Sequence, residues 1–285
     1  MIGTRSVVSV PNSYFHRLSP LAATPADAPT ATATFAADPA TGGPWVADLQ
    51  HGGPPNALLV SECERLAAAH TGRADLVALR LAAEFVGPVP VADVTVQTRI
   101  VRAARTAVLV AGELSAAGRT CLQGRVWLVR TADTTGLAPD SAPDVPLAPA
   151  PPAELPPLGG GFPYADSLDW RVERGGMRVP GAGAAWVRAR MPVIPDAPLT
   201  GLQLAALIGD SASGLSSELD WSQWSFLNID LDIHLARPVR GDWLRMDAIT
   251  QLGPTGTALA QSALSDLAGR VGTTTQTLIL ERLGR

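Results

Sequence analysis

Cysteine is nearly missing from this chain of 285 residues. Two residues, Cys63 and Cys121, are too few for a disulfide framework and show no zinc-ligand spacing, so they read as buried free thiols in a reducing compartment. Neither sign of charge is in excess: the formal net charge is -4 and the isoelectric point about 5.6. The arginines are scattered, which argues against a nucleic-acid partner, because phosphate recognition relies on clustered cations. No apolar run approaches the ~20 residues of a membrane helix, the best being Leu202 to Gly209. The stretch from Met1 to Ser13 lacks the basic start and apolar run of a secretory signal. No GxGxxG follows a strand and no phosphate loop is present, so neither a redox cofactor nor a metal is implied. The absences together lead us to expect a soluble, cytoplasmic protein.

What is there is a large apolar fraction, 46%, with 17% charged residues, enough to bury a sizeable core. It is written twice. His51-Gly52-Gly53, an apolar helical pattern over Asn56 to Ala69, Gly87-Pro88, Asp93-Val94-Thr95-Val96, Thr106-Ala107-Val108 and Gly118-Arg119 recur as Thr200-Gly201, a helix from Leu202 through Leu215, Arg237-Pro238, Asp242-Trp243-Leu244, Thr257-Ala258-Leu259 and Gly269-Arg270. Pro88 falls on Pro238 and His51 on Gly201 at an offset of 150, drifting to 151 by Gly118 and Gly269, one inserted residue over a whole half. Between the copies, residues 137–163 are rich in proline, which removes backbone donors and ends both helix and sheet. The chain therefore divides into an N-terminal unit over 1–136, a linker over 137–163 and a C-terminal unit over 164–285.

Each unit reads as two short strands, one helix and four long strands. In the first, Tyr14 to Leu18 and Thr30 to Ala37 precede the helix; Val77 to Phe85, Asp93 to Arg102, Thr106 to Ser115 and Arg119 to Arg130 follow it. In the second, Leu168 to Glu173 and Ala185 to Met191 precede it; Ser225 to Leu235, Trp243 to Gln251, Gly256 to Asp266 and Gly269 to Leu280 follow. Turn signals between the long strands predict antiparallel hairpins. From Leu227 to Leu235 apolar and polar residues alternate without a break, which predicts a single strand with Leu227, Ile229, Leu231, Ile233 and Leu235 on its buried face. The economical architecture is α+β: a curved antiparallel sheet wrapped around a helix, made twice, as two sheets or one continuous one.

A helix after a glycine turn, wrapped by a twisted sheet and duplicated in one chain, resembles the double hotdog fold of acyl-CoA thioesterases, and most of all the acyl-CoA thioesterase II type. That resemblance implies hydrolysis of acyl-CoA thioesters in fatty acid metabolism, with coenzyme A entering only as part of the substrate and with chains that associate into homo-oligomers. It implies a helical Asp, a hydroxyl residue opening the next strand and a Gln near the last strand. These fall on Asp210, Asn228 and Gln276, the Asn being a departure because an amide cannot act as a hydroxyl does. His51-Gly52-Gly53 resembles the HGG turn of single-hotdog thioesterases, which implies an oxyanion or substrate-binding role for backbone N–H groups at the start of the first helix. Direct attack of water and attack through an anhydride on Asp210 are both open.

The duplication supplies a test free of family knowledge. The offset sets Val60 against Asp210, Ala78 against Asn228 and, with the drift, Arg125 against Gln276. Polar residues kept in one copy only are what loss of one of two ancestral sites leaves behind. Plainer readings stand beside this one. Asp210 could open the polar end of its helix, His51 could serve only the turn, and Asp230, Asp232 and His234 read as the exposed face of a strand. Asn228 lies on that same face, so reaching Asp210 requires a bulge or a place at the strand's very start. Trp45 could line an acyl pocket, whereas Trp221, Trp224 and Trp243 read as core or interface. The turn Arg237-Pro238-Val239-Arg240-Gly241-Asp242 echoes hotdog enoyl-CoA hydratases, although no Asp/His dyad is evident around Asp210, and a non-catalytic acyl-CoA-binding paralogue is the third reading.

Overall fold

The computed structural model describes residues 12–19, 29–137, 161–195 and 197–284. The proline-rich segment from 138 to 160 lies outside the described residues. The N-terminal set of elements is β1 (Phe15–Arg17), β2 (Thr30–Ala37), α1 (Gly53–Thr71), β3 (Leu76–Phe85), β4 (Asp93–Ala103), β5 (Ala107–Ala116) and β6 (Arg119–Arg130). The C-terminal set is α2 (Pro163–Asp166), β7 (Leu168–Arg174), β8 (Gly183–Ala189), α3 (Gly201–Gly209), α4 (Ala212–Leu215), β9 (Trp224–Asn228), β10 (Asp230–Leu235), β11 (Leu244–Leu252), β12 (Thr257–Asp266) and β13 (Gly269–Arg282).

All thirteen strands form one antiparallel sheet in the order β1-β2-β4-β5-β6-β3-β10-β13-β12-β11-β8-β7, with β9 pairing β13 beside β10. The order is a palindrome under the repeat, which carries β3 to β10 and β4, β5, β6 to β11, β12, β13 at an offset of 150, and β2 to β8 and β1 to β7 at 152 and 153. The halves join where β3 meets β10, with Ala82 opposite Asp232. Those two residues are themselves 150 apart, so a pseudo-twofold axis passes through that pair. Under the sheet α1 and α3 pack on each other, and the core runs continuously through both halves. Among the described residues no helix is long and apolar enough to cross a membrane.

Local chemistry sets the helix ends. Pro54 and Pro55 open α1, where missing N–H groups cost nothing, and Gly72 closes it in the left-handed region at φ 62°. Thr200 and Gln203 form a reciprocal capping box at the start of α3.

Three expectations need correction. The helix predicted to run through Leu215 stops at Gly209 with Asp210 as its C-cap, because side chains take over the backbone groups there: Tyr164 donates to the Leu207 carbonyl (2.6 Å) and Gln276 to that of Asp210 (3.2 Å). The single strand predicted through Leu235 is two. Asn228 pairs with Leu278 whereas Asp232 pairs with Thr275, so one extra residue is accommodated between β9 and β10, and the Asp230 carboxylate accepts the Thr277 N–H there (2.5 Å). This bulge inverts the facing of the strand. Leu231, Ile233 and Leu235 are buried, whereas Leu227 and Ile229 are 45% and 42% exposed. The same register shift occurs in β3 between Ala78 and Arg80.

The third correction concerns the offset, which stays at 150 through the last hairpin, where a drift to 151 is expected. Ala116 pairs with Arg119 and Asp266 with Gly269, so Gly269 corresponds to Arg119. The two turns place their left-handed residues differently, Ala117 and Gly118 in one and Gly269 in the other. Gln276 accordingly corresponds to Val126, not Arg125. Val126 is fully buried, so all three counterparts of the polar set, Val60, Ala78 and Val126, are buried and apolar.

The helices seat on the sheet by opposite means in the two halves. Leu59 of α1 fills the space that side chains at Gly112 and Gly124 would need, each missing Cβ lying 2.7 Å from a Leu59 methyl. At the offset positions the helix carries Gly209, and the strands carry Ser262 and Thr274, whose hydroxyls share a 2.6 Å hydrogen bond. Leu59→Ala would open a cavity over two glycines with nothing to refill it. We expect a loss of about 2–5 kcal/mol, read as a lower urea midpoint at unchanged slope.

Candidate active site

Asp210 ends α3 at the point where the start of α1 crosses it, and the close approach depends on two glycines. A side chain at Gly53 would strike the Leu207 carbonyl oxygen, and one at Gly52 would lie 2.7 and 2.8 Å from the two Asp210 carboxylate oxygens. The carboxylate is 4% exposed, and burial on this scale requires partners. Oδ1 accepts from Asn228 Nδ2 (2.7 Å) and from Gln276 Nε2 (3.1 Å). Oδ2 faces His51 Nδ1 at 3.1 Å. Asn228 reaches inward because it is the last residue of β9 before the bulge, and its second amide hydrogen goes to the Asp230 carbonyl (3.2 Å). Asp210, Asn228, Gln276, His51, Gly52 and Gly53 therefore meet at one place, and the Asp–His pair that was not evident in the sequence is formed across the two halves.

Burial pushes the His51 imidazole below its ordinary value of 6.5, with the Asp210 charge pulling the other way. His51 Nδ1 lies between the Asp210 carboxylate and the Gly53 N–H, which donates to it at 3.1 Å. The Gly52 N–H has no partner among the described residues. Pro54 and Pro55 have no N–H, and that of Asn56 is turned to the Gly52 carbonyl. The donors at this helix start are therefore two, both glycine amides. A carboxylate has about four lone-pair positions; the two amides take two on Oδ1, while Oδ2 faces His51 and, with Gly52, borders the cleft described next.

A cleft of about 810 Å³ leads to this point, lined by His51, Gly52, Asp210 and Asn228 and by Trp45, Phe85, Phe162, Trp221 and Phe226. Trp45 and Phe226 meet edge to face at 5.1 Å, and Trp221 packs against both. Leu227, Ile229, Ile279 and Leu283, each more than 40% exposed, form an apolar rim. A depression of about 880 Å³ on the outer face of the sheet, between Arg80, Arg99 and Arg125 and the carboxylates of Glu84, Glu113, Asp230 and Asp232, carries both signs of charge and no such apolar lining. Trp45 lines the cleft as expected, and Trp221 joins it instead of the core alone. Phe162 and Tyr164 escaped the sequence reading; their one signal was that Tyr14 and Tyr164, the only tyrosines, are themselves 150 apart.

Other candidates resolve differently. Asp230 is spent on the bulge, and β10 lies between β3 and β13, so it offers no free edge for assembly. Arg237 holds buried Asp266 through two hydrogen bonds (2.6 and 2.7 Å), and Asp242 is exposed beside Arg188; the turn that echoed hydratases braces a hairpin away from the cleft. Among the described residues no group of His, Cys, Asp and Glu is placed to hold a metal ion. The pseudo-equivalent site is closed by other means: Glu64 of α1 accepts from Thr200 Oγ1 (2.9 Å) and Gln203 Nε2 (2.6 Å) at the start of α3.

Models of the acyl-CoA thioesterase N-terminal domain and C-terminal domain match residues 41–129 and 139–280. Among solved structures, a Novosphingobium aromaticivorans protein provisionally described as a thioesterase is 20% identical and superposes with a TM-score of 0.68 over 88% of this chain and 96% of that one. A hot-dog-fold protein of unknown function from Alicyclobacillus acidocaldarius is 16% identical, with a TM-score of 0.66 over 89% and 94%. Acyl-CoA thioesterase II of Mycobacterium marinum is 17% identical, with a TM-score of 0.60 over 82% and 90%. No curated protein matches significantly. Fold and family matches together define a double-hotdog thioester hydrolase. The chain belongs to the acyl-CoA thioesterase family.

Two measurements check this geometry. Gly52→Ala would put a methyl into the space beside Oδ2, so kcat is expected to fall by two orders of magnitude or more while circular dichroism stays native. Burial raises the Glu64 carboxyl from 4.5 to about 7, against the lowering effect of its bonds to Gln203 and Thr200. The native state then binds more protons than the unfolded one between those values, so stability falls as pH rises from 4.5 to 7. Glu64→Gln should remove that share of the decline in urea midpoint.

Proposed function

We propose that this enzyme cleaves acyl-CoA to free acid and CoA by direct attack of a water held on Asp210 Oδ2. The carrying observation is the buried carboxylate at the cleft with two amides fixed on one oxygen and His51 facing the other. Asn228 and Gln276 fix Oδ1 and His51 stands at Oδ2, so the carboxylate can take a proton from water without turning. The thioester carbonyl would lie against the Gly52 and Gly53 N–H groups, whose helix start favours the developing negative charge. Hydrogen bonds that saturate Oδ1 make the carboxylate a poor nucleophile, which favours water attack over an anhydride. The Asn228 carbonyl oxygen has no partner among the described residues and can accept from the same water, which supports an amide in the place where the family resemblance implies a hydroxyl.

The acyl group would occupy the aromatic lining, with the apolar rim along its path. On this reading the enzyme acts on acyl groups of fatty acid metabolism in the cytoplasm, requires no metal or further cofactor, and associates into homo-oligomers of double-hotdog chains. Thiol release from acyl-CoA esters of graded length tests it. Asp210→Asn keeps the size of the side chain and an oxygen for the two amides, and should lower kcat about 10²- to 10⁴-fold. Activity within threefold of the parent would remove Asp210 from the chemistry.

A further inference from the structure

The two tyrosines of the chain are equivalent, and only one has an imidazole against it. Both are fully buried. Each reaches into the opposite half by the same main-chain bond: Tyr14 N–H to the Pro192 carbonyl (3.0 Å) and Tyr164 N–H to the Gly42 carbonyl (3.0 Å), with Pro192 and Gly42 again 150 apart. The Tyr14 hydroxyl is paired with Ser167 Oγ at 2.6 Å, and the position that would meet its ring in the mirror arrangement is Gly201, which has no side chain. The Tyr164 ring lies flat on His51, with centroids 3.8 Å apart and planes 6° from parallel. Its hydroxyl donates to the Leu207 carbonyl (2.6 Å) and lies 3.0 Å from Ser211 Oγ. Leu207 and Ser211 flank Asp210.

We propose that Tyr164 is a positioning residue for the reaction, a brace that sets the His51 imidazole against the Asp210 carboxylate by holding one with its ring and the chain of the other with its hydroxyl. Tyr164 does not line the cleft, so it acts only through those two groups. Stacking fixes the plane of the imidazole, and with it the direction in which Nδ1 faces Asp210. The bond to Leu207 ties the last turn of α3 to the same ring. A carboxylate and an imidazole that come from different halves have no short covalent path between them, and a misplacement of about 1 Å at such a pair costs on the order of 10²-fold in rate. The groups that act on the imidazole are the Asp210 charge from the end of α3 and the Tyr164 phenol from α2; the Phe162 ring, 6.1 Å away, is apolar.

The inference rests on the hydrolase reading above, and its test is separable from it. Tyr164→Phe keeps the stack and loses the hydroxyl; Tyr164→Leu loses both; Tyr14→Phe is the matched control with the same burial and the same cross-half bond. Expected are a tenfold or greater fall in kcat at nearly constant KM for Tyr164→Phe, and a larger fall for Tyr164→Leu. In Tyr164→Leu the acid limb of kcat/KM should also move up towards the ordinary histidine range, because water reaches the imidazole once the ring is gone. Nitrogen-15 NMR of His51 in the free enzyme, assigned with His51→Asn, should show the same upward move. Tyr14→Phe should lose stability and keep kcat and the acid limb. The brace is overturned if both Tyr164 variants retain the parent kcat, or if their His51 titration matches that of Tyr14→Phe. An active Asp210→Asn would instead defeat the hydrolase reading, leaving the NMR titration to judge the brace.

Discussion

The ladder between β3 and β10 is the constraint on which the site depends. Because Ala82 and Asp232 face each other on the pseudo-twofold axis, α1 and α3 must run past one another under the sheet with the start of each beside the middle or end of the other. That brings an amide-bearing helix start from one half against a carboxylate from the other. Neither half contains the site, and the distance between its parts is set by strand register, where a slip of one residue would invert every side chain. A site assembled this way inherits the rigidity of the sheet.

The pseudo-equivalent place shows what the same scaffold does when chemistry is withdrawn. Val60, Ala78 and Val126 convert the three polar positions to packed core, and Gly201 removes the imidazole. The helix start that borders the cleft in one half is occupied in the other by the Glu64 carboxylate, held by Thr200 and Gln203. A buried polar position that loses its function is a liability, and here each has been replaced by an apolar residue or turned into a cap.

Much of this was legible in the sequence because the signals were redundant. The repeat at 150 residues, the glycine turns and the apolar helices pointed to one architecture, and element limits fell within a few residues of the structure except at two places. Those exceptions carry the site. The helix ends at Asp210 through bonds from Tyr164 and Gln276, residues distant in sequence, so nothing local announced the stop. The bulge at Ile229 went unread because apolar letters alternate straight through it: Leu227 and Ile229 look like core but face the cleft. The offset was misjudged because glycine sits at different places in two equivalent turns. The meeting of His51 with Asp210 depends on how the helices cross, which periodicity does not encode; only the resemblance to the HGG turn implied that the two residues share one site.

The seating of the helices has a consequence for ancestry. With Leu59 over two glycines in one half and Gly209 under Ser262 and Thr274 in the other, bulk has moved from sheet to helix in one copy only. A dimer of two N-terminal copies would still seat its leucines, yet would hold no acid; a dimer of two C-terminal copies would hold two acids but no histidine turn. Each half therefore holds what the other lacks, the histidine turn in one and the carboxylate in the other, so the two copies are complementary and no longer interchangeable.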